Sequence, residues 1–176
     1  MIRFLCLPLW IAFAAAALAD TPDGVTGDGA ESFQVAAKSA ATGDAADAPA
    51  PDPAAIRKLG RQQFIMCAAC HGQQGEGGPA GPPLAGSEWV LGPAENLIRI
   101  QLRGLHGPIQ VKGVEYNMVM APMSYQTDDQ IAAVLSFIRS SWGNEAPPVA
   151  PGDVEAFRDE VGKPMLRVGD LKPHGQ

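Results

Sequence analysis

The chain has 176 residues, 46% of them apolar, enough for one modest folded domain with tails. Its net charge of −6 argues against nucleic acid as a partner, because that demands a basic surface. Of three cysteines, Cys6 stands alone near the start and Cys67 and Cys70 share one short motif, so no separate disulfide framework can exist.

Residues 1–19 have the form of a secretory signal, with Arg3 as the positive start, an apolar stretch from Phe4 to Ala16, and Ala17-Leu18-Ala19 as a small-residue cleavage site. Cleavage before Asp20 is the expectation. The competing reading is a retained N-terminal anchor, although the apolar run is shorter than the roughly 20 residues of a membrane-spanning helix. Cys6 lies inside the apolar stretch, so it gives no sign of a lipid-attachment cysteine.

Residues 20–52 are rich in Ala, Asp, Gly, Thr and Pro, with Phe33 the only aromatic, and read as a flexible acidic linker. A transient helix over Ser32 to Ser39 is the most structure they suggest. Seven acids there stand against Lys38, whereas Pro53 to Pro147 balances seven bases with seven acids. The acidity therefore belongs to the linker and says little about how the domain recognises partners.

Order is expected from Asp52-Pro53, a capping carboxylate before a proline in the first helical position. The first helix runs to about Cys67, with Ile56, Leu59 and Phe64 on one stripe and Gly60 as an interruption that only close backbone packing would explain. Between Gly72 and Gly92 glycines and prolines crowd the chain, as in a loop that wraps a ligand. A second helix is expected over Pro93 to Arg103, closed by Gly104, and an irregular stretch follows to Ala121-Pro122. The last strong helix starts at Thr127, where Thr127-Asp128-Asp129-Gln130 forms a capping box, and carries Ile131, Val134, Leu135, Ile138 and Trp142 at helical spacing to Gly143-Asn144. The boundaries of the folded domain are thus 53–147. Residues 148–176 form a C-terminal extension with room for a short helix over Asp153 to Val161 and an otherwise frayed remainder. No strand pattern and no internal repeat stand out. Few helices joined by long glycine- and proline-rich loops call for a bulky internal cofactor.

Cys67-Ala68-Ala69-Cys70-His71 supplies one. Cys-x-x-Cys-His reads as c-type haem attachment, in which the two thiols bond the haem and the adjacent histidine coordinates its iron. Half of a zinc site is the rival, but tetrahedral zinc wants about four ligands and His106 and His174 show no paired spacing. A redox-active dithiol is the other, and its usual strand-helix pattern is absent.

Residues Pro53 to Asn144, with this motif at the end of a first helix and Met120-Ala121-Pro122-Met123 before a capped last helix, resemble the class I c-type cytochromes. The resemblance implies an all-α fold of three to five helices around one covalent haem c, with a loop methionine as second axial ligand. By its position before Pro122, Met120 takes that role, with Met123 as runner-up; the two of Met118, Met120 and Met123 that do not ligate fill core. His106, in a Gly-His-Gly-Pro turn, is a weaker distal candidate. Gly81-Pro82-Pro83-Leu84 matches the family's Gly-Pro-x-Leu, which implies that the Pro82 carbonyl supports the proximal His71. Gly60, Phe64 and Phe137 resemble the family's crossing of first and last helices. Trp89, Arg99, Arg103, Tyr116 and Asn117 are open candidates for the haem propionates.

A His71–Met120 centre implies electron transfer, not catalysis, since it leaves no open coordination position. The expected setting is the periplasm, with a dehydrogenase, oxidase or other cytochrome as redox partner and a membrane only if the signal stays uncleaved. Residues 83–90 and 138–144 also resemble cytochrome domains that accompany quinoprotein dehydrogenases, which implies a partner dedicated to one dehydrogenase. A haem peroxidase or ligand sensor is the enzymatic alternative, and it would need a labile or absent Met120.

Overall fold

The computed structural model describes residues 52–174. The expected signal, the linker up to residue 51 and the transient helix lie outside the described residues. What is described is all-α apart from one small ribbon: α1 (Pro53–His71), α2 (Glu88–Leu91), α3 (Ala94–Arg103), α4 (Asp128–Arg139) and α5 (Pro151–Glu155), with strands β1 (Ile109–Val111) and β2 (Val114–Tyr116) and short 3-10 turns at Arg158–Glu160 and Val168–Asp170.

α1 begins where the Asp52 carboxylate accepts the Ala54 amide at 2.9 Å, with Pro53 in the first turn. It continues four residues beyond the expected end, so the whole Cys67–His71 motif is helical. Its buried stripe is Gly60, Phe64 and Ala68. At Gly60 the backbone of α4 passes so close that a Cβ would collide with the Ala133 carbonyl and lie 2.7 Å from Phe137 Cβ. Above this crossing Phe64, Phe137 and Trp142 pack ring on ring, with centroids 4.9 to 5.6 Å apart.

The Thr127 hydroxyl and the Gln130 side chain cap the start of α4 reciprocally. Ile131, Val134, Leu135 and Ile138 are all buried, and each such side chain stabilises the fold by about 1.5–3 kcal/mol. The helix stops at Arg139, not Trp142. Ser140 Oγ and Ser141 Oγ turn back onto the Ser136 and Phe137 carbonyls at 2.8 and 2.6 Å, and Trp142 takes a left-handed φ of 55°. Trp142 still reaches the core, but from the turn.

Two further features depart from the sequence expectation. The stretch read as irregular after Gly107 holds the β1–β2 ribbon, paired Ile109 with Tyr116, Gln110 with Glu115 and Val111 with Val114. Its turn residues Lys112 and Gly113 both have positive φ, as a two-residue hairpin requires. Strands of three residues carry too little alternation to be seen in sequence.

The tail is likewise not frayed. Val149 and Val154 enter the core beside α4, and Leu166 and Leu171 enter a second apolar cluster with Trp89, Ile100 and Val111. The helix expected over Asp153–Val161 divides into α5 and the 3-10 turn after it. Polar anchors fix the segment: Ser136 Oγ bonds Val149, and Arg158 reaches Asp128 at 2.6 Å and the Gln126 carbonyl at 2.6 Å. Apolar residues spaced irregularly through the tail pack against residues far upstream, which no local pattern signals.

Among the described residues no helix is long and apolar enough to cross a membrane.

Candidate functional site

The last turn of α1 brings Cys67, Cys70 and His71 to one wall of a mostly apolar cavity of about 290 Å³. The loop from Ala80 to Leu84 forms the floor behind His71, α3 contributes Leu97, Ile100 and Gln101, and the loop Met118–Met123 closes the side that α4 leaves open with Leu135 and Ile138.

His71 Nδ1 donates to the Pro82 carbonyl at 2.7 Å. Burial lowers the imidazole pKa and the Pro82 carbonyl opposes it only in part, which favours the neutral ring. With its proton on Nδ1, the ring keeps a lone pair on Nε2 for a metal. Pro82 is held in place because Gly81 lies flat against the motif, where a Cβ would stand 3.1 Å from the Cys70 carbonyl oxygen. The loop before it is pinned by the Gly77 amide on the His71 carbonyl at 2.8 Å. Farther along, Leu84 and Ala85 both donate to Gly75.

Asn144, which the sequence showed only as a helix end, locks this loop to α4. Its Oδ1 accepts the Gly86 amide at 2.8 Å, and its Nδ2 donates to the Leu84 and Ile138 carbonyls. An asparagine after Gly143 is the only trace of this in the sequence, and its partners lie 58 and 60 residues upstream.

Cys67 and Cys70 form no disulfide with each other. Burial pushes the Cys67 thiol up to about 11, with the nearby Cys70 adding to the rise. A redox-active dithiol needs a thiol lowered toward the thiolate, and Cys67 is shifted the opposite way. Nor, among the described residues, do three or more His, Cys, Asp or Glu side chains gather as a tetrahedral zinc site requires.

The methionines separate by environment. Met120 is half-buried against the second apolar cluster, and its backbone pairs both ways with Leu105, at 2.9 and 3.0 Å. Met123 lines the cavity too, but its sulfur accepts the Tyr125 hydroxyl at 3.2 Å. Met118 is 47% exposed at the rim. His106 is not among the lining residues, and its amide serves the Leu166 carbonyl.

Of the propionate candidates, Arg99 and Arg103 are claimed by the tail, Arg99 through Glu160 and the Asp170 carbonyl, Arg103 through Glu160 and the Pro164 carbonyl. Trp89 Nε1 donates to the Gln110 carbonyl at 2.8 Å. Trp89 and Tyr116 line the cavity, while Asn117 does not. Sequence reasoning also passed over Gln101 and Leu105, both cavity residues. Gln101 Oε1 is the one buried side-chain polar atom among the described residues without a partner.

Two thiols and an imidazole on one wall, a thioether loop on another and apolar surfaces between them form a donor set that fits a covalently attached iron porphyrin. The comparisons agree. The family model for cytochrome c matches residues 57–142. Cytochrome c-552 of Thermus thermophilus is 44% identical over 90 residues, which cover 48% of this chain and 69% of that protein. The cytochrome c subunits of the quinone alcohol dehydrogenases of Gluconacetobacter polyoxogenes and Komagataeibacter europaeus are 38% identical over 109 residues, 58% of this chain but 22% of theirs.

Proposed function

The chain belongs to the cytochrome c family, and from that premise we propose that it is an exported, non-catalytic electron carrier whose covalent haem c is joined to Cys67 and Cys70 and held axially by His71 and Met120. The observation that carries the reading is the 2.7 Å bond from His71 Nδ1 to the Pro82 carbonyl. It commits the imidazole proton away from the cavity, fixes the ring plane and raises the donor strength of Nε2.

Cys67, Cys70, His71 and Met120 would hold the haem in this cavity, where it would supply a one-electron couple. The remaining work falls to the chain. Cys67 and Cys70 fix the group to α1, and Leu105 holds the backbone of Met120. The walls formed by Leu97, Ile100, Leu135 and Ile138 exclude water, which disfavours the more highly charged oxidised state. A thioether in place of a second imidazole works in the same direction and raises the reduction potential. Met66 and Met118 are exposed where they line the cavity and offer apolar surface to a redox partner.

The partners that fit are periplasmic dehydrogenases, oxidases or other cytochromes. The likeness to quinone alcohol dehydrogenase subunits supports a second reading, in which the chain serves one such dehydrogenase as its dedicated haem protein.

The test of the ligand pair is optical spectroscopy of the wild type, Met120→Ala and Met123→Ala, each produced with a haem-attachment system. Met120→Ala loses the weak far-red band of sulfur ligation in the oxidised state, and Met123→Ala keeps it. Loss of the band in Met123→Ala alone would show that Met123, not Met120, is the ligand.

A further inference from the structure

Residues 160–172 lie beyond the family match at 57–142, yet they are bound along one face of α3. Asn96, Arg99 and Arg103 stand at i, i+3 and i+7 on that helix and hold them in turn. Asn96 exchanges two hydrogen bonds with the backbone of Lys172, at 2.8 and 2.9 Å. Arg99 bonds Glu160 and the Asp170 carbonyl, and Arg103 bonds Glu160 and grips the Pro164 carbonyl with two nitrogens. Leu97, Ile100 and Gln101 of the same helix face the cavity instead.

Between its anchors the segment makes one further connection. Leu166 donates to the Gly104 carbonyl at 3.1 Å and accepts the His106 amide at 2.9 Å, which places it beside Leu105 as a parallel strand neighbour. On its other edge Leu105 pairs with Met120 through two bonds. The three backbones thus run Leu166, Leu105, Met120 in one short ladder. They meet tightly at Gly104, where a Cβ would stand 2.6 Å from the Met120 carbonyl oxygen and 2.8 Å from Met165 Cε. Leu166 is fully buried, in the same cluster that packs Leu105 and Met120.

We infer that residues 160–172 are a positioning strap for the distal methionine, with Leu166 holding Leu105 and Leu105 holding Met120 against the cavity. The inference rests on the reading of Met120 as axial ligand. Without the strap, Leu105 is an edge segment with one row of backbone groups unpaired, and the loop it carries opens more often. The strap thereby keeps the centre six-coordinate and closed to small ligands.

The experiment compares CO binding to the reduced haem protein, together with the far-red band of the oxidised form, in four proteins. They are the wild type, Met120→Ala, a chain ended after Gly162, and Leu166→Pro. The shortened chain keeps Val149, Val154 and Glu160, and Leu166→Pro removes the amide that bonds Gly104 together with the buried leucine side chain. Loss of one or two ladder bonds raises the apparent CO affinity by about fivefold to thirtyfold over wild type. Met120→Ala sets the upper limit.

Strap variants that keep their haem and helix content while binding CO within about twofold of wild type would overturn the strap, provided Met120→Ala has lost the band. A Met120→Ala protein that retains the band would overturn the ligand reading and the strap with it. Hydrogen exchange on the unaltered reduced protein supplies a second arm independent of any variant. The amides of Leu105, His106, Met120 and Leu166 exchange as one block, and exchange of the Leu166 and His106 amides while Met120 stays protected would overturn the inference.

Discussion

Replacing Gly60 by alanine sets two effects of opposite sign against each other. In the middle of an α-helix, alanine is favoured over glycine by about 1 kcal/mol, so helix propensity alone predicts a stabler protein. The crossing of α1 and α4 predicts the reverse. The added methyl would lie 2.7 Å from Phe137 Cβ and 2.8 Å from the Ala133 carbonyl carbon, and closer still to that carbonyl oxygen. Ordinary carbon contacts lie at about 3.5–4.0 Å, so the helices must part by about 1 Å. The obstacle is the backbone of a capped, fully packed helix, not the end of a flexible side chain. Overpacking of this kind costs typically about 1–3 kcal/mol, and a backbone obstacle belongs in the upper part of that range. The net expectation is a loss of about 1–2 kcal/mol, or a fall in Tm of about 4–8 °C for a domain of this size. Thermal and guanidinium unfolding of the haem-loaded protein, followed by circular dichroism, reads it. A Gly60→Ala protein as stable as wild type, or stabler, would refute the close crossing.

Two further substitutions probe the tail and the loop behind His71. Burial pushes the Glu160 carboxyl up, but hydrogen bonds and charge from Arg103 and Arg99 outweigh it and hold the group below the usual carboxylate range. Because the folded pKa lies below the unfolded value of about 4.3, this stabilisation is present above that pH and is lost as the pH falls through the folded pKa. Glu160→Gln therefore lowers stability by about 1–2 kcal/mol at pH 7, and urea titrations at successive pH values show the difference closing below about pH 4. Asn144→Ala removes three hydrogen bonds from a buried site, costs about 2–3 kcal/mol and speeds exchange of the Gly86 amide. An unchanged Gly86 amide would show that Asn144 does not hold the loop.

What the sequence carried was local. Asp52-Pro53 and Thr127-x-x-Gln130 are capping signals whose mechanism spans three residues, and both helix starts lie where those signals put them. Cys67 to His71 and Gly81-Pro82 are short motifs whose chemistry is complete within them. The end of α4 was misjudged because Trp142 continues the apolar spacing, while the decisive bonds are made by two serines whose side chains turn back on the helix. Arg99 and Arg103 looked available to propionates, since nothing nearby in sequence announces Glu160 as their partner 61 and 57 residues on. The tail's order has the same origin: Leu166, beside Met165, and Leu171, between Asp170 and Lys172, follow no helical or strand period and are meaningful only once the second cluster exists. Three methionines close together were ranked in the sequence only by the resemblance that places a methionine shortly before Pro122. The Leu105 pairing and the Tyr125 contact with Met123 distinguish them by environment.

The central claim is a six-coordinate centre that moves one electron and binds nothing else. An optical redox titration of the purified protein under CO and under argon tests it most directly. The account predicts one reversible single-electron transition, low-spin spectra in both states, and the same midpoint under the two gases. A high-spin reduced form whose midpoint rises under CO would contradict it and place the chain among ligand-binding or catalytic haem proteins.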